Sequence, residues 1–262
     1  MSSPINVRKP QVSKSASEAE IITAGYDAVA GVYDSQLAPA HWIREQLWER
    51  LDLLFPKGAR VLDVTAGTGL DALHLVERGV HVVACDVSSA MLAQLNHKNS
   101  NIETYVADFN KLDLNGEFDG VMSTFAGLNT SRDLRPFAND AARLLRPGGT
   151  LFIHLLNRWP MADIARHFIG LHWSNFWRTI VSTQREVNIG NVLIPHYLYS
   201  PLFLYRQVFA AYFRLNRIDG QGIFRSTHVN WGKQLAGAEK KLGSIFPFHS
   251  LGVFFSAEMT RV

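Results

Sequence analysis

Residues 60–91 read RVLDVTAGTGLDALHLVERGVHVVACDVSSAM, and the order of residue types in this stretch decides the fold. A short apolar run ends in Asp63, and a loop carrying Gly67 and Gly69 follows. A helical pattern then leads to a second apolar run that ends in Asp86. Glycines make the tight strand-to-helix turn and let backbone approach a ligand. The helix start presents unpaired N–H groups. An acid at the tip of the next strand is positioned to accept hydrogen bonds from both hydroxyls of a ribose. An ordinary turn and a helix cap account for each residue singly, whereas a nucleoside-containing cofactor accounts for their joint spacing.

Outward from this stretch the alternation continues. Strands are predicted at 60–64, 81–85, 102–107, 118–124 and 150–156, with helices at 69–77, 88–96 and 133–145 between them. Strands separated by single helices imply right-handed crossovers and a parallel sheet covered on both faces. Upstream, residues 37–55 carry apolar residues at helical spacing, closed by Pro56 and Gly58. Downstream, 157–180 reads as helical, with Trp159, Ile164, Phe168 and Trp173 as apolar anchors. Residues 183–199 read as two strands around the turn dipeptide Gly190-Asn191. A helix is predicted from Pro201 to about 212, then strands at 213–219 and 252–260 with a helix near 231–242 between them.

Gly67-x-Gly69-x-x-Ala72 also satisfies a dinucleotide fingerprint. Asp63 argues against that reading, because an acid upstream of the glycines suits the ammonium of an amino-acid moiety better than a pyrophosphate. The third predicted strand also runs into an acid, Asp108, followed by Phe109. That carboxylate is suited to an exocyclic amine, with the phenyl ring beside the base. Amino acid, ribose and adenine together describe S-adenosylmethionine.

With these landmarks in order, residues 26–156 resemble the class I S-adenosylmethionine-dependent methyltransferases. VLDVTAGTG is similar to the family's first motif, CDVSSAML to its second and VADF to its adenine motif. FDGVMSTFAGLN resembles the fourth-strand motif and LLRPGGTLFIHLLN the turn before the fifth strand. Upstream, Tyr26-Asp27-x-x-Ala30-x-x-Tyr33-Asp34 resembles the N-terminal lid of the ubiquinone/menaquinone-type small-molecule branch. The resemblance implies a Rossmann-like, mostly parallel seven-stranded α/β sheet with helices on both faces, an antiparallel last strand, and a helix/hairpin cap after strand five. It divides the chain into a disordered tail (1–20), lid helices (21–58), a cofactor-binding core (59–156), a substrate cap (157–200) and the remainder of the sheet (201–262).

The resemblance also implies roles. Asp63, Thr65, Ala66, Gly67 and Gly69 would form the loop at the methionine end, and Asp86 would hold the ribose. Val87, Met91, Asp108 and Phe109 would surround the adenine, and Thr124 would lie near the sulfonium. Tyr26 and Tyr33 would close over the cofactor, although two tyrosines seven apart would also pack one helix face. For Met91 the packing alternative is strong, since a methionine in a helix after a strand is more often core. Thr65 departs from the family, which has a glycine there. A β-branched residue resists positive φ, so either this position has ordinary backbone or the loop is reshaped, with the hydroxyl turned to the cofactor's amino-acid end.

Charge and aromatic content are asymmetric along the 262 residues. Residues 1–150 carry 14 basic and 18 acidic side chains, and residues 151–262 carry 12 and 5. Of the 29 Phe, Trp and Tyr residues, 19 lie in the second part. A basic, aromatic segment fits nucleic acid or a planar, anionic small molecule; the arginines are dispersed rather than clustered, which favours the small molecule. An RNA methyltransferase and a cofactor-binding protein without catalysis remain the alternatives. A single cysteine, Cys85, excludes an internal disulfide, and no His-x-x-x-His or carboxylate cluster points to a metal. No apolar run reaches about 18 residues, and the first 20 residues lack a secretory core. The expectation is a cytoplasmic protein that does not enter the membrane.

Methyl transfer needs alignment, and a base only where the acceptor must lose a proton. The expected activity is transfer to O, N, S or C of a small metabolite beneath the aromatic cap. Asn129, Asn157, Trp159, Trp173, His196 and Tyr199 are the candidate acceptor contacts, and His172, beside Trp173, is the candidate base.

Overall fold

The computed structural model describes residues 17–224 and 236–262. Seven strands form one sheet: β1 (Arg60–Asp63), β2 (His81–Asp86), β3 (Glu103–Val106), β4 (Phe118–Ser123), β5 (Leu145–Leu156), β8 (Phe213–Gln221) and β9 (Phe254–Arg261). Their order is β3-β2-β1-β4-β5-β9-β8. The first five are mutually parallel, and β9 runs antiparallel to both β5 and β8. A separate antiparallel hairpin joins β6 (Gln184–Ile189) to β7 (Val192–Tyr197) through Gly190 and Asn191, both at positive φ. That is the backbone a two-residue hairpin turn requires.

Strand alternation explains why helices cover both faces. In β1, Leu62 points into a core shared with Val121, Phe137, Ala141 and Leu144, the last three from α6 (Arg135–Leu144). Its neighbour Val61 points the other way, to Leu47 and Leu51 of α3 (His41–Leu54) and Ala72 and Leu75 of α4 (Leu70–Glu77). Both β1 residues are fully buried, which is the near-continuous apolar run of a central parallel strand. Each leucine that α3 buries contributes about 1.5–3 kcal/mol. A further helix of these layers, α5 (Ser89–Lys98), covers the edge beside β2 and β3 through Leu92 and Leu95.

Two short helices precede the sheet, α1 (Glu18–Val29) and α2 (Tyr33–Leu37), and a 3-10 turn (Ala38–Ala40) leads into α3. Ser17 and Glu20 cap α1 reciprocally, so the helix begins inside the segment expected as tail. The rest of that expectation, residues 1–16, lies outside the described residues, as do 231–235 of the helix expected near 231–242; its remainder is α10 (Ala236–Leu242).

The segment expected as one helix at 157–180 is two, α7 (Met161–Ile169) and α8 (Trp173–Val181), broken at Gly170-Leu171 where Leu171 has φ of 56°. Its expected anchors are not core residues. Phe168 is 53% and Trp173 49% exposed; with Phe176 and Trp177 they form a contiguous aromatic cluster on the surface. The helix starting at Pro201 is α9 (Pro201–Leu204), which passes into a π-helical turn at Tyr205–Phe209.

Candidate functional site

The carboxyl ends of β1, β2 and β4 open onto a cavity of about 180 Å³. Its floor is the loop after β1. Gly67 and Gly69 have φ of 54° and 82°, and a Cβ on Gly69 would lie 2.1 Å from Leu95 of α5. Gly69 therefore serves the turn and the helix packing, while Ala66 and Gly67 reach the cavity wall. Asp86, at the tip of β2, accepts from the Gly67 N–H at 2.8 Å and the Ser88 N–H at 2.9 Å, one on each oxygen. Each oxygen keeps a second lone pair, the arrangement that suits a vicinal diol. Burial raises the Asp86 pKa, and the N–H groups of Ser88 and Gly67 oppose that rise.

Thr65 has ordinary backbone, since it is absent from the residues at positive φ. Its hydroxyl lies 2.7 Å from Ser123 Oγ, and its side chain packs against Gly127, where a Cβ would come within 2.5 Å. The space that a glycine would leave at 65 is thus filled from within, and the hydroxyl is bonded to β4. Asp63 lies behind the loop, buried, with Oδ1 accepting weakly from the Thr65 N–H and Oδ2 unpartnered. Burial, then the nearby Asp71 charge, pushes its pKa well up.

Glu18, Ala19, Ile22 and Tyr26 of α1 and Tyr33 of α2 form the roof. The spacing 18/19, 22, 26 puts them on one helix face. The two tyrosine rings meet edge to face with centroids 6.1 Å apart. Burial raises both phenols, Tyr33 to about 12 and Tyr26 well above its ordinary value, so both are neutral near pH 7. The acid after each tyrosine does a separate job. Asp27 accepts from Ser88 Oγ at 2.5 Å, beside Asp86, and Asp34 accepts from Thr68 Oγ1 at 2.5 Å and Lys98 Nζ at 2.6 Å. Each Tyr-Asp pair thus supplies one aromatic wall and one latch to the core.

Beyond the part lined by Val87, Met91, Asp108 and Phe109, the far end of the cavity holds Arg44, Asp71, Thr124 and Phe125. Arg44 Nη1 is 2.5 Å from Asp71 Oδ2, with both side chains buried. Thr124 Oγ1 donates to the same Asp71 oxygen at 2.5 Å, and Trp48 Nε1 donates to the other at 2.7 Å. The guanidinium carbon sits 4.0 Å from the Phe125 ring centroid. Phe125 and Ala126 are both left-handed, at φ of 49° and 66°, a conformation that costs about 1–2 kcal/mol per residue. His154 of β5 holds them there. Its Nδ1 accepts from the Phe125 N–H at 3.1 Å and its carbonyl from the Ala126 N–H at 3.0 Å. The ring proton therefore sits on Nε2, and burial drives the His154 pKa down to about 3.

Of the predicted cofactor contacts, Tyr26, Tyr33, Thr65, Ala66, Gly67, Asp86, Val87, Met91, Asp108, Phe109 and Thr124 are brought to this one cavity; Asp63 and Gly69 stand behind it. The predicted acceptor contacts are not brought there, because 157–200 does not reach its wall. The hairpin instead backs α1: a Cβ on Gly25 would lie 2.8 Å from Ile194. Asn129 spends its amide on the Tyr197 carbonyl and the Leu156 N–H, and Asn157 spends its own on the Ser250 and Gly252 carbonyls. Tyr199 donates to the Ser131 carbonyl, and His196 is buried in the hairpin at 3.2 Å from the Ile194 carbonyl. Trp159 stacks under Arg158, and His172 stands at the N-cap position of α8, beside His167 and without a side-chain cap bond. Arg44, Asp71 and Phe125 were missed by sequence reasoning. The available signal was a charged residue in helical phase with Leu47 and Leu51 on α3, and an acid beside Ala72 and Leu75 on the buried face of α4.

Comparison with known proteins agrees with this geometry. Residues 61–149 match the family model described as a methyltransferase domain. Over that stretch the chain is thus similar to a methyltransferase domain. Among the relatives of this chain is the demethylmenaquinone methyltransferase of Beutenbergia cavernae, 33% identical over 141 residues, covering 52% of this chain and 58% of that one. The chain thus spans less than two thirds of the length of the curated relatives it matches. The CcbJ methyltransferase of Streptomyces caelestis superposes with a TM-score of 0.62 at 18% identity, over 94% of this chain and 100% of the other. The DhpI–S-adenosylhomocysteine complex superposes at 0.59 and 19%, over 92% and 95%. No helix among the described residues is long and apolar enough to cross a membrane.

Proposed function

We propose that this methyltransferase carries a methyl group from S-adenosylmethionine to a small aromatic acceptor of the quinone type. The observation that carries the reading is the convergence of Asp86, Asp108, the Gly67 loop and the two roof tyrosines on one cavity. The donor set suits the cofactor. Four acids, Glu18, Asp71, Asp86 and Asp108, face the cavity against one basic side chain among the described residues, Arg44, a balance that favours a cationic ligand. When bound, S-adenosylmethionine supplies an electrophilic methyl group on a sulfonium. Asp86 binds the ribose, and Asp108 with Phe109, Val87 and Met91 holds the base. Tyr26 and Tyr33 exclude water as neutral aromatic walls. Thr124 and Phe125 border the space left for the acceptor, and an apolar ring fits Phe125 and Ile22 there. Asp71 is committed to three donors and the tyrosines stay protonated, so alignment rather than proton removal carries the rate. The quinone-type acceptor is supported by the names of the relatives.

Calorimetry with S-adenosylhomocysteine tests the cofactor half. The protein binds it, and Asp86→Ala binds at least a hundredfold more weakly while its far-ultraviolet dichroism is unchanged. Unchanged affinity sinks the assignment. Incubation with S-adenosylmethionine and a short-chain demethylmenaquinol, read by mass spectrometry, tests the acceptor half; absence of a product 14 mass units heavier (roughly one CH2 gained) overturns it.

A further inference from the structure

We infer that Arg44 is an oxyanion seat, built to receive a carboxylate or phenolate oxygen inside the cavity. The inference rests on the proposed cofactor and acceptor reading and names what binds at its far end. Arg44 is 5% exposed and lines the cavity, yet Asp71 is its one hydrogen-bonding or ionic partner among the described residues. A guanidinium presents five N–H donors in a fixed fork. One nitrogen on Asp71 leaves the rest of the fork without an acceptor, in a place that water reaches only through the cavity.

The partner is in the opposite condition. Asp71 Oδ2 takes Arg44 and Thr124, and Oδ1 takes Trp48. The carboxylate already holds three donors, whereas the guanidinium has given one nitrogen to one acceptor, so most of the fork stays open to the cavity. Stacking on Phe125 at 4.0 Å fixes the plane of the fork. The left-handed turn at Phe125-Ala126, held by His154, is what puts that ring there. Everything around Arg44 is thus arranged to hold its plane and leave its donors open, which is how planar, two-point recognition of an oxyanion is built. Elsewhere the wall is acidic and repels an anion, so the seat is confined to this end.

An oxyanion at this position has two sources, the carboxylate of the cofactor's methionine part or an acidic oxygen on the acceptor. Binding of S-adenosylhomocysteine and of its decarboxylated analogue is measured by calorimetry for the unaltered protein, Arg44→Lys and Arg44→Gln. The double variant Arg44→Gln/Asp71→Asn accompanies them, because it leaves no unpaired charge and separates binding from misfolding. If the cofactor carboxylate is the guest, Arg44→Gln and the double variant lose roughly tenfold to a hundredfold in affinity for S-adenosylhomocysteine, the range of a charge-assisted hydrogen bond. Affinity for the decarboxylated analogue is then unmoved, and Arg44→Lys recovers part of the loss. If the acceptor supplies the oxygen, both cofactor affinities are unmoved. Protein loaded with S-adenosylhomocysteine then prefers 1-naphthoate to 1-naphthamide, and the preference disappears in Arg44→Gln and in the double variant. Variants that bind both cofactor ligands and both naphthyl probes as the unaltered protein does overturn the inference. Failure of the unaltered protein to bind S-adenosylhomocysteine overturns the proposed function instead.

Discussion

His154 is the buried group whose titration is most directly tied to the site, and replacing it with asparagine has a calculable consequence. The folded ring is neutral with a pKa of about 3, lowered first by burial, with the Asp71 charge opposing. An unfolded histidine titrates near 6.5. Below that pH the unfolded chain takes up a proton that the folded chain refuses, so stability falls as pH drops from about 6.5 towards 3. At pH 5 the loss relative to pH 7.5 is about 1.5 pH units at 1.36 kcal/mol each, or about 2 kcal/mol. The asparagine carbonyl keeps an acceptor close to the Nδ1 position, so the left-handed turn retains a partner for the Phe125 N–H. The variant starts less stable, because its smaller side chain gives up the stacking on Phe254. Its further loss on acidification is nevertheless smaller than that of the unaltered protein by about 2 kcal/mol. Asp63 and Asp86, whose raised pKa values make acidification favourable, act equally in both proteins and cancel from the difference. Urea unfolding at pH 7.5 and pH 5.0 reads this directly. Equal acid losses in the two proteins would refute a neutral, buried His154.

The same loop yields a gain. Ala126→Gly relieves a left-handed Cβ and stabilises the fold by up to about 1–2 kcal/mol, visible as a melting temperature a few degrees higher; a lower one contradicts the turn. Thr65→Gly, which restores the family's residue, destabilises by about 1–2 kcal/mol through the lost Ser123 hydrogen bond and added chain entropy. Its affinity for S-adenosylhomocysteine changes less than threefold in calorimetry, and a larger loss would show that the Thr65 hydroxyl serves the ligand. Asp34→Asn weakens the latch to Thr68 and Lys98, so dissociation of S-adenosylhomocysteine quickens severalfold in stopped-flow fluorescence while Asp27→Asn does the same from the other end. Dissociation that neither change alters means the roof does not limit exit.

The readable features were those in which local sequence and function coincide. Asp63, Gly67, Gly69 and Asp86 fall within 24 consecutive residues, and strand–loop–helix geometry alone determines where their chain segments go. The Tyr26 and Tyr33 doublets were visible as a pattern, but the latching role of Asp27 and Asp34 was not, because Ser88 and Thr68 are distant in sequence. Arg44 and Asp71 show the same difficulty from the other side. Each interrupts an apolar helix face, and only the docking of α3 on α4 pairs them. The anchors expected at 157–180 were not legible as surface residues, because aromatic content and periodicity report an apolar face without saying what covers it. Trp173 and Phe168 share such a face, and it is turned to solvent. The Gly190-Asn191 turn was legible as a hairpin, but its docking against Gly25 depends on two small gaps in helix packing that no periodicity reveals.

The position of β9 bears on how the chain reaches this structure. Among the described residues β8 pairs only with β9, and β9 is also what covers the outer edge of β5. During synthesis β8 is made first and must wait some thirty residues for its neighbour, while the edge of β5 stays open to other strands. The cavity side of the sheet, by contrast, is complete once β4 has been made, because β1 to β4 pair among themselves. Folding of the ligand-binding half can therefore precede closure of the sheet, and an arrested chain lacking Phe254–Arg261 would leave the outer edge of β5 open and β8 without a partner.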